Sequence, residues 1–187
     1  EQENQNIKTA SIVNWTPINQ YILSDYVDYA PSKSINDANV FEHAKNMLET
    51  QENFDPDVLF LQFDELDGSG HSYGFSPSVQ EYTNTVSTLD AYSQELFDII
   101  ETRRENGEDW LYVIISDHGG EEFSHSDGSH PNINQTIFFV QHPELTLKAS
   151  CCYISSQADL APTVLDFLEI SNVEFESNKD GVSLLNK

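Results

Sequence analysis

Val58-Leu-Phe-Leu-Gln-Phe63, running into Asp64-Glu-Leu-Asp-Gly-Ser-Gly-His-Ser-Tyr-Gly74, is the stretch on which the reading of this chain turns. The apolar run is short, rich in large side chains and entered through Asp55-Pro56, which predicts a buried strand. Polar chemistry therefore begins where a strand ends. Asp67 and His71 stand with three residues between them, and Gly68, Gly70 and Gly74 predict a tightly turned loop that aims both side chains at one point. A carboxylate oxygen and an imidazole nitrogen brought together in this way suit a divalent cation, zinc above all.

The same arrangement recurs downstream. Trp110-Leu-Tyr-Val-Ile-Ile115 reads as a second buried strand and delivers Ser116-Asp117-His118-Gly119-Gly120 at its end. Ligand sites of open α/β sheets form at that edge. Ser124-His125-Ser126-Asp127-Gly128-Ser129-His130 follows, just before a third strand-like run from Thr136 to Val140. Between the first two strands, Ser76-Pro77 predicts the start of a helix reaching about Arg104. Its stripe of Val79, Tyr82, Val86, Leu89, Tyr92, Leu96, Phe97 and Ile100 recurs at three and four, so the tyrosines read as core or boundary residues. Asn106-Gly107 ends the helix. The resulting β-α-β crossover predicts parallel strands and places both Asp/His pairs on one sheet edge.

In this order of elements the chain resembles the alkaline phosphatase superfamily, and within it the nucleotide pyrophosphatase/phosphodiesterase branch, over roughly residues 9 to 185. Asp67-Gly-Ser-Gly-His71 is similar to that family's D-x-x-G-H-x-x-G element and Ser116-Asp-His-Gly119 to its S-D-H-G element. The resemblance implies two divalent metal ions, most simply Zn2+. Asp67 and His71 would bind one of them with a later His, and Asp117 and His118 would contribute to the other. His125 matches the later His by position. His130 stays an alternative, because the family commonly has Gly where this chain has Ser126. The family's nucleophile, a Thr or Ser, and one further Asp ligand lie well before the first element; Thr16 in Asn14-Trp-Thr-Pro17 is the nearest lookalike here. The implied protein is a metal-dependent hydrolase of small, nucleotide-like phosphate esters. Its α/β domain would have a largely parallel central sheet with helices on both faces. Residues 1–187 would form one domain, the C-terminal portion of a larger catalytic domain, weakly active or inactive until the missing N-terminal segment joins it.

Composition bounds the alternatives. Eight Lys and Arg against 32 Asp and Glu give a net charge of −24, which argues against a nucleic-acid duplex as partner. The same field repels a phosphate ester, so bound metals would have to supply positive charge locally. With 38% hydrophobic residues, 11 Phe and 8 Tyr, the chain has the means for a core. It encodes no run of about 18 apolar residues, hence no membrane-spanning helix. A chain opening at Glu1 without Met reads as an excised or processed C-terminal part of a longer protein; it carries no signal peptide, which a mature end would have lost, and the expected setting is extracytoplasmic or secreted. Cys151 and Cys152 are adjacent, a spacing that strains a disulfide, and read as free thiols. Two other readings remain at this point: a non-catalytic acidic module taking calcium weakly, and a sulfatase or phosphomutase relative, the sulfatases being disfavoured by D-x-x-x-H.

The remaining expectations are local. Residues 1–8 are polar and predicted to fray, and Thr9 to Val13 predicts a short strand. Ser34 or Asn36 should cap a helix with Ala38, Phe41, Ala44, Met47 and Leu48 on one face and His43 turned to solvent. His142 before Pro143 reads as turn chemistry and Tyr153 to Ser156 as a late strand. Ser156 and Asp159 predict a capping box, followed by a helix with Pro162 early and Leu160, Val164, Leu165 and Leu168 on its apolar face.

Overall fold

The computed structural model describes residues 7–23, 25–31, 36–51, 54–148, 154–170 and 180–186. Ser34, Cys151, Cys152, Tyr153 and most of the 1–8 segment lie outside them. Strand β1, Thr9–Val13, falls where a short strand is expected, and four of its five residues are buried. It pairs in parallel with β2, Val58–Gln62, in the register Thr9 to Val58 through Val13 to Gln62. The aromatic segment between them forms a π-helical turn, Ile18–Ile22, and returns to bridge Tyr29 to Ala10.

Helix α1, Asp37–Thr50, makes the crossover between β1 and β2. Asn36 caps it, its side chain accepting the Asn39 N–H at 2.8 Å. Val40, Phe41, Ala44, Met47 and Leu48 are buried at helical spacing and form one cluster with Ala10, Ile12, Leu96 and Ile100. His43 differs from expectation. It is half-buried, its Nε2 2.8 Å from the Tyr29 hydroxyl with the two rings edge to face. Burial lowers its pKa below the ordinary imidazole value.

Helix α2, Glu65–Tyr73, replaces the predicted glycine-rich loop. Three intervening residues is one helical turn, so the spacing that suggested convergence is itself the helical one. Helix α3, Gln80–Glu105, begins three residues after Pro77 rather than at it. It ends at Asn106, with Gly107 at φ +96°. A buried arginine secures that corner. Arg103 pairs with Asp55 at 2.7 Å and Glu108 at 2.8 Å, donates to the Leu48 carbonyl at 3.3 Å, and lies 4.8 Å over the Trp110 ring.

Strand β3, Tyr112–Ile115, is antiparallel to β4, Phe138–Gln141, with Ile115 opposite Phe138. Between them lies the one-turn helix α4, Pro131–Asn134. Two-residue strands β5, Thr146–Leu147, and β6, Leu185–Asn186, form a third pair. Among the described residues there are thus three two-stranded sheets in a mixed helix and strand fold, consistent with an alkaline-phosphatase-like α/β architecture. The predicted large parallel sheet is not among them, and the third strand runs antiparallel. The runs predicted as buried strands are half-buried, with Phe60 of β2 and Phe139 of β4 exposed, so a run of large apolar residues encodes a strand but neither its full burial nor the direction of its neighbour.

Further on, His142 behaves as turn chemistry, its Nδ1 accepting the Glu144 and Leu145 N–H groups at 3.1 and 3.0 Å. Residues 154–156 are not a strand. Ser156 opens the expected capping box with Asp159, and helix α5, Leu160–Phe167, follows a 3-10 turn, Gln157–Asp159. No helix among the described residues is long and apolar enough to cross a membrane.

Candidate metal centre

Helix α2 forms although it contains Gly68 and Gly70, each of which costs about 1 kcal/mol in a helix interior. Support comes from a distant residue. Its N-cap, Asp64, supplies no side-chain cap, and the orphan N–H groups of the first turn go instead to Asp37, the buried first residue of α1. Asp37 Oδ1 accepts the Asp64 N–H at 2.8 Å and the Asn14 Nδ2–H at 2.8 Å, and Oδ2 accepts the Glu65 N–H at 2.9 Å. One carboxylate therefore joins the residue after β1, the start of α1 and the start of α2. At the other end, Gly74 at φ +112° takes a backbone conformation that side-chain-bearing residues avoid and lets the chain leave the helix.

Held in this way, α2 presents Asp67 and His71 on one face, with His71 Nε2 3.4 Å from Asp67 Oδ2. The third member arrives from the loop after β3. Residues 121–124 form a tight turn in which Glu121 and Ser124 exchange N–H to carbonyl bonds at 2.9 and 3.0 Å. Two successive carbonyls of that turn are stitched back: Glu122 O accepts the Phe75 N–H at 2.7 Å, and Phe123 O accepts His71 Nδ1–H at 2.8 Å. His125 follows with Nε2 3.5 Å from Asp67 Oδ1. One ligand atom from each of Asp67, His71 and His125 lies within 4.8 Å of the others.

The donor set fits a divalent metal. A carbonyl can only accept, so Phe123 fixes the proton of His71 on Nδ1 and leaves the Nε2 lone pair facing a carboxylate. Asp67 Oδ1 is buried and has no hydrogen-bond partner. Acceptors facing acceptors at this range call for a cation between them. Ligands held about 2.0–2.1 Å from a tetrahedral zinc stand about 3.3 Å apart, close to the 3.4 and 3.5 Å seen here.

The Asp117/His118 pair sits beside this triad but does not converge with it as closely. His118 stacks on His125 with ring centroids 3.9 Å apart. Its Nδ1 lies 2.9 Å from the Gly119 carbonyl, the same tautomer-fixing contact as in His71, which leaves Nε2 as an acceptor. The Asp117 side chain is 89% exposed and its Oδ2 is 3.6 Å from His118 Nε2. The turn is held by Ser116, which exchanges hydrogen bonds with the Ile137 backbone, and by Gln157, whose amide donates to the Ser116 and Asp117 carbonyls.

His130 is engaged elsewhere. It is the N-cap of α4, its Nδ1 accepting the Asn132 N–H at 3.3 Å and lying 4.0 Å from Glu121. Thr16 stands in the turn after β1, with its carbonyl accepting the Gln20 N–H at 3.0 Å, and takes no part in the hydrogen bonds of the triad. Asp37 and Phe75 are neighbours that the sequence did not single out, and Tyr82, expected as a core or boundary residue of α3, also lies beside the site. Burial and, after it, the charge of Asp67 push the Tyr82 phenol above its ordinary pKa. Only the helical spacing of Tyr82 from the start of α3 could have hinted at this proximity.

The family model described as type I phosphodiesterase / nucleotide pyrophosphatase matches residues 1–159. GPI ethanolamine phosphate transferase 1 of Yarrowia lipolytica is 30% identical over 122 residues, 60% of this chain and 13% of the relative. The protein of the same name from Gibberella zeae is 35% identical over 108 residues, 52% of this chain and 10% of the relative. The chain therefore spans only about a tenth of the length of these curated relatives.

Proposed function

The chain belongs to the type I phosphodiesterase / nucleotide pyrophosphatase family of the alkaline phosphatase superfamily, and from that premise we propose that it carries the metal-holding part of a zinc-dependent phosphoester hydrolase or transferase. Asp67, His71 and His125 hold one ion, and Asp117 and His118 contribute to a second. The observation that carries this reading is the Asp67 carboxylate set between two histidines, its buried, unpartnered Oδ1 facing His125 and its Oδ2 facing His71. Bound there, a divalent ion supplies Lewis-acid stabilisation for the phosphoryl oxygens. The chain's own residues do the remaining work. The Phe123 carbonyl holds the His71 proton on Nδ1, the stacked His118 and His125 rings keep each other's orientation, and Asp37 anchors α2 at the site.

The substrate class follows from charge. A field of −24 repels a plain phosphate diester, whereas an ester carrying an ammonium group is drawn in by its cationic end. Phosphoethanolamine esters have that composition, and the names of the relatives favour them over nucleotides. Whether the acceptor is water or a hydroxyl separates hydrolysis from transfer. An extracytoplasmic setting is part of the same proposal, as is a single domain over residues 1–187 that acts within a longer protein supplying the attacking hydroxyl.

Zinc added to chelator-stripped protein at neutral pH should raise its melting temperature. At about 100 times the dissociation constant the gain is about 2.7 kcal/mol, or roughly 5–10 °C for a domain of this size. Protons compete with the metal for the imidazole and carboxylate ligands, so the gain should shrink on acidification. Calcium at the same concentration should do little. A flat melting point with zinc, or an equal rise with calcium, would favour the acidic-module reading instead.

A further inference from the structure

Phe75 lies just beyond α2, and its ring occupies space that two glycines leave open. A Cβ built on Gly70, in α2, would come within 2.2 Å of the ring, and one built on Gly120, in the Asp117-His118-Gly-Gly turn, would also come within 2.2 Å. Real Cβ atoms do not approach that closely, so the ring is keyed between the helix that bears Asp67 and His71 and the turn that bears His118. It also meets the histidines edge on, at 5.4 Å and 82° from the His71 ring and 6.4 Å and 87° from the His125 ring. Its backbone N–H is fastened to Glu122 O at 2.7 Å, in the turn that leads to His125. Tyr82 closes the remaining side, its ring 5.8 Å away.

We propose that Phe75 is a positioning residue of the metal centre: wedged between Gly70 and Gly120, its ring sets the gap between the two ligand-bearing segments and fixes the planes of His71 and His125. A ring at that place couples α2 to the downstream turn without offering any atom to the metal. Loss of the ring lets α2 and the turn close or slide, and a methyl group on Gly120 drives the ring toward the histidines. Both changes misdirect imidazole lone pairs that a metal needs aimed at one point. This inference rests on the metal-centre reading above.

The test uses cobalt(II) as probe, because its visible absorption reports ligand geometry and a titration gives its affinity without any turnover. Unfolding of the metal-free proteins, followed in parallel, shows which variants keep the fold. Phe75→Ala and Phe75→Leu should bind cobalt at least about 10-fold more weakly than the wild type, in line with the usual effect of residues behind the ligands, and with an altered spectrum. Gly120→Ala should show a similar loss. Combining Gly120→Ala with Phe75→Ala should weaken binding no further than Phe75→Ala alone, because the added methyl group acts only through the ring; two losses that simply multiply would overturn the wedge. Should the alanine variant fail to fold, Phe75→Leu, which retains most of the volume, carries the comparison. Folded Phe75 variants with wild-type affinity and spectrum overturn the wedge. Absence of cobalt binding by the wild type overturns the metal-centre reading itself, which is a different result.

Discussion

Asp37→Ala should lower the stability of this protein by about 3 kcal/mol. The carboxylate is fully buried and accepts hydrogen bonds from Asn14, Asp64 and Glu65 at 2.8–2.9 Å. Its removal takes the acceptor from two backbone N–H groups and one side-chain amide; a fully buried unsatisfied donor costs about 1–3 kcal/mol, and these partly buried ones stand at the low end of that range. Part of that loss is offset because a buried charge no longer has to be kept from water. Against a total stability of about 5–15 kcal/mol for a typical domain, the remainder is large. Asp37→Asn is the informative companion. It keeps the shape and one acceptor oxygen but sets an NH2 group against a backbone N–H, so it should recover only part of the loss. Chemical denaturation measures both; an alanine variant within about 0.5 kcal/mol of wild type would show that α2 is held by something else.

The second large effect is on metal affinity. Replacing Asp67 by Asn, or His71 or His125 by Ala, should weaken the first zinc equivalent by at least about 100-fold, since each removes one of three protein ligands from a site normally built on three or four. His130→Ala should leave that affinity within a few-fold of wild type, because His130 caps α4 and faces Glu121. Competition against a chelator of known affinity reads these changes. Zinc lost with His130→Ala and retained with His125→Ala would reverse the assignment of the third ligand.

How far the sequence could be read depends on how local each feature is. β1, the stripe of α1 and the Ser156/Asp159 capping box follow from residues within a few positions of one another and stand where expected, except that Val40 rather than Ala38 begins the buried face of α1. The Asp67/His71 pair was legible for the same reason, yet its setting was misread. Gly68 and Gly70 suggest a loop, whereas α2 is held by Asp37, about 30 residues earlier, and Gly70 is small because Phe75 leaves it no room. The antiparallel β3–β4 pair was illegible because strand direction is set by a partner across a loop, not by the apolar run itself. His125 and His130 are equivalent by composition. What separates them is the turn at residues 121–124, which points one at Asp67, and α4, which takes the other as its cap.

The central claim is that Asp67, His71 and His125 together bind one zinc ion, and X-ray absorption at the zinc edge tests it most directly. With one equivalent loaded at neutral pH, the spectrum should show a first shell of nitrogen and oxygen at about 2.0–2.1 Å, with the outer-shell scattering of two imidazoles, one of which disappears in His125→Ala. An all-oxygen shell without imidazole scattering, unchanged in that variant, would contradict the account.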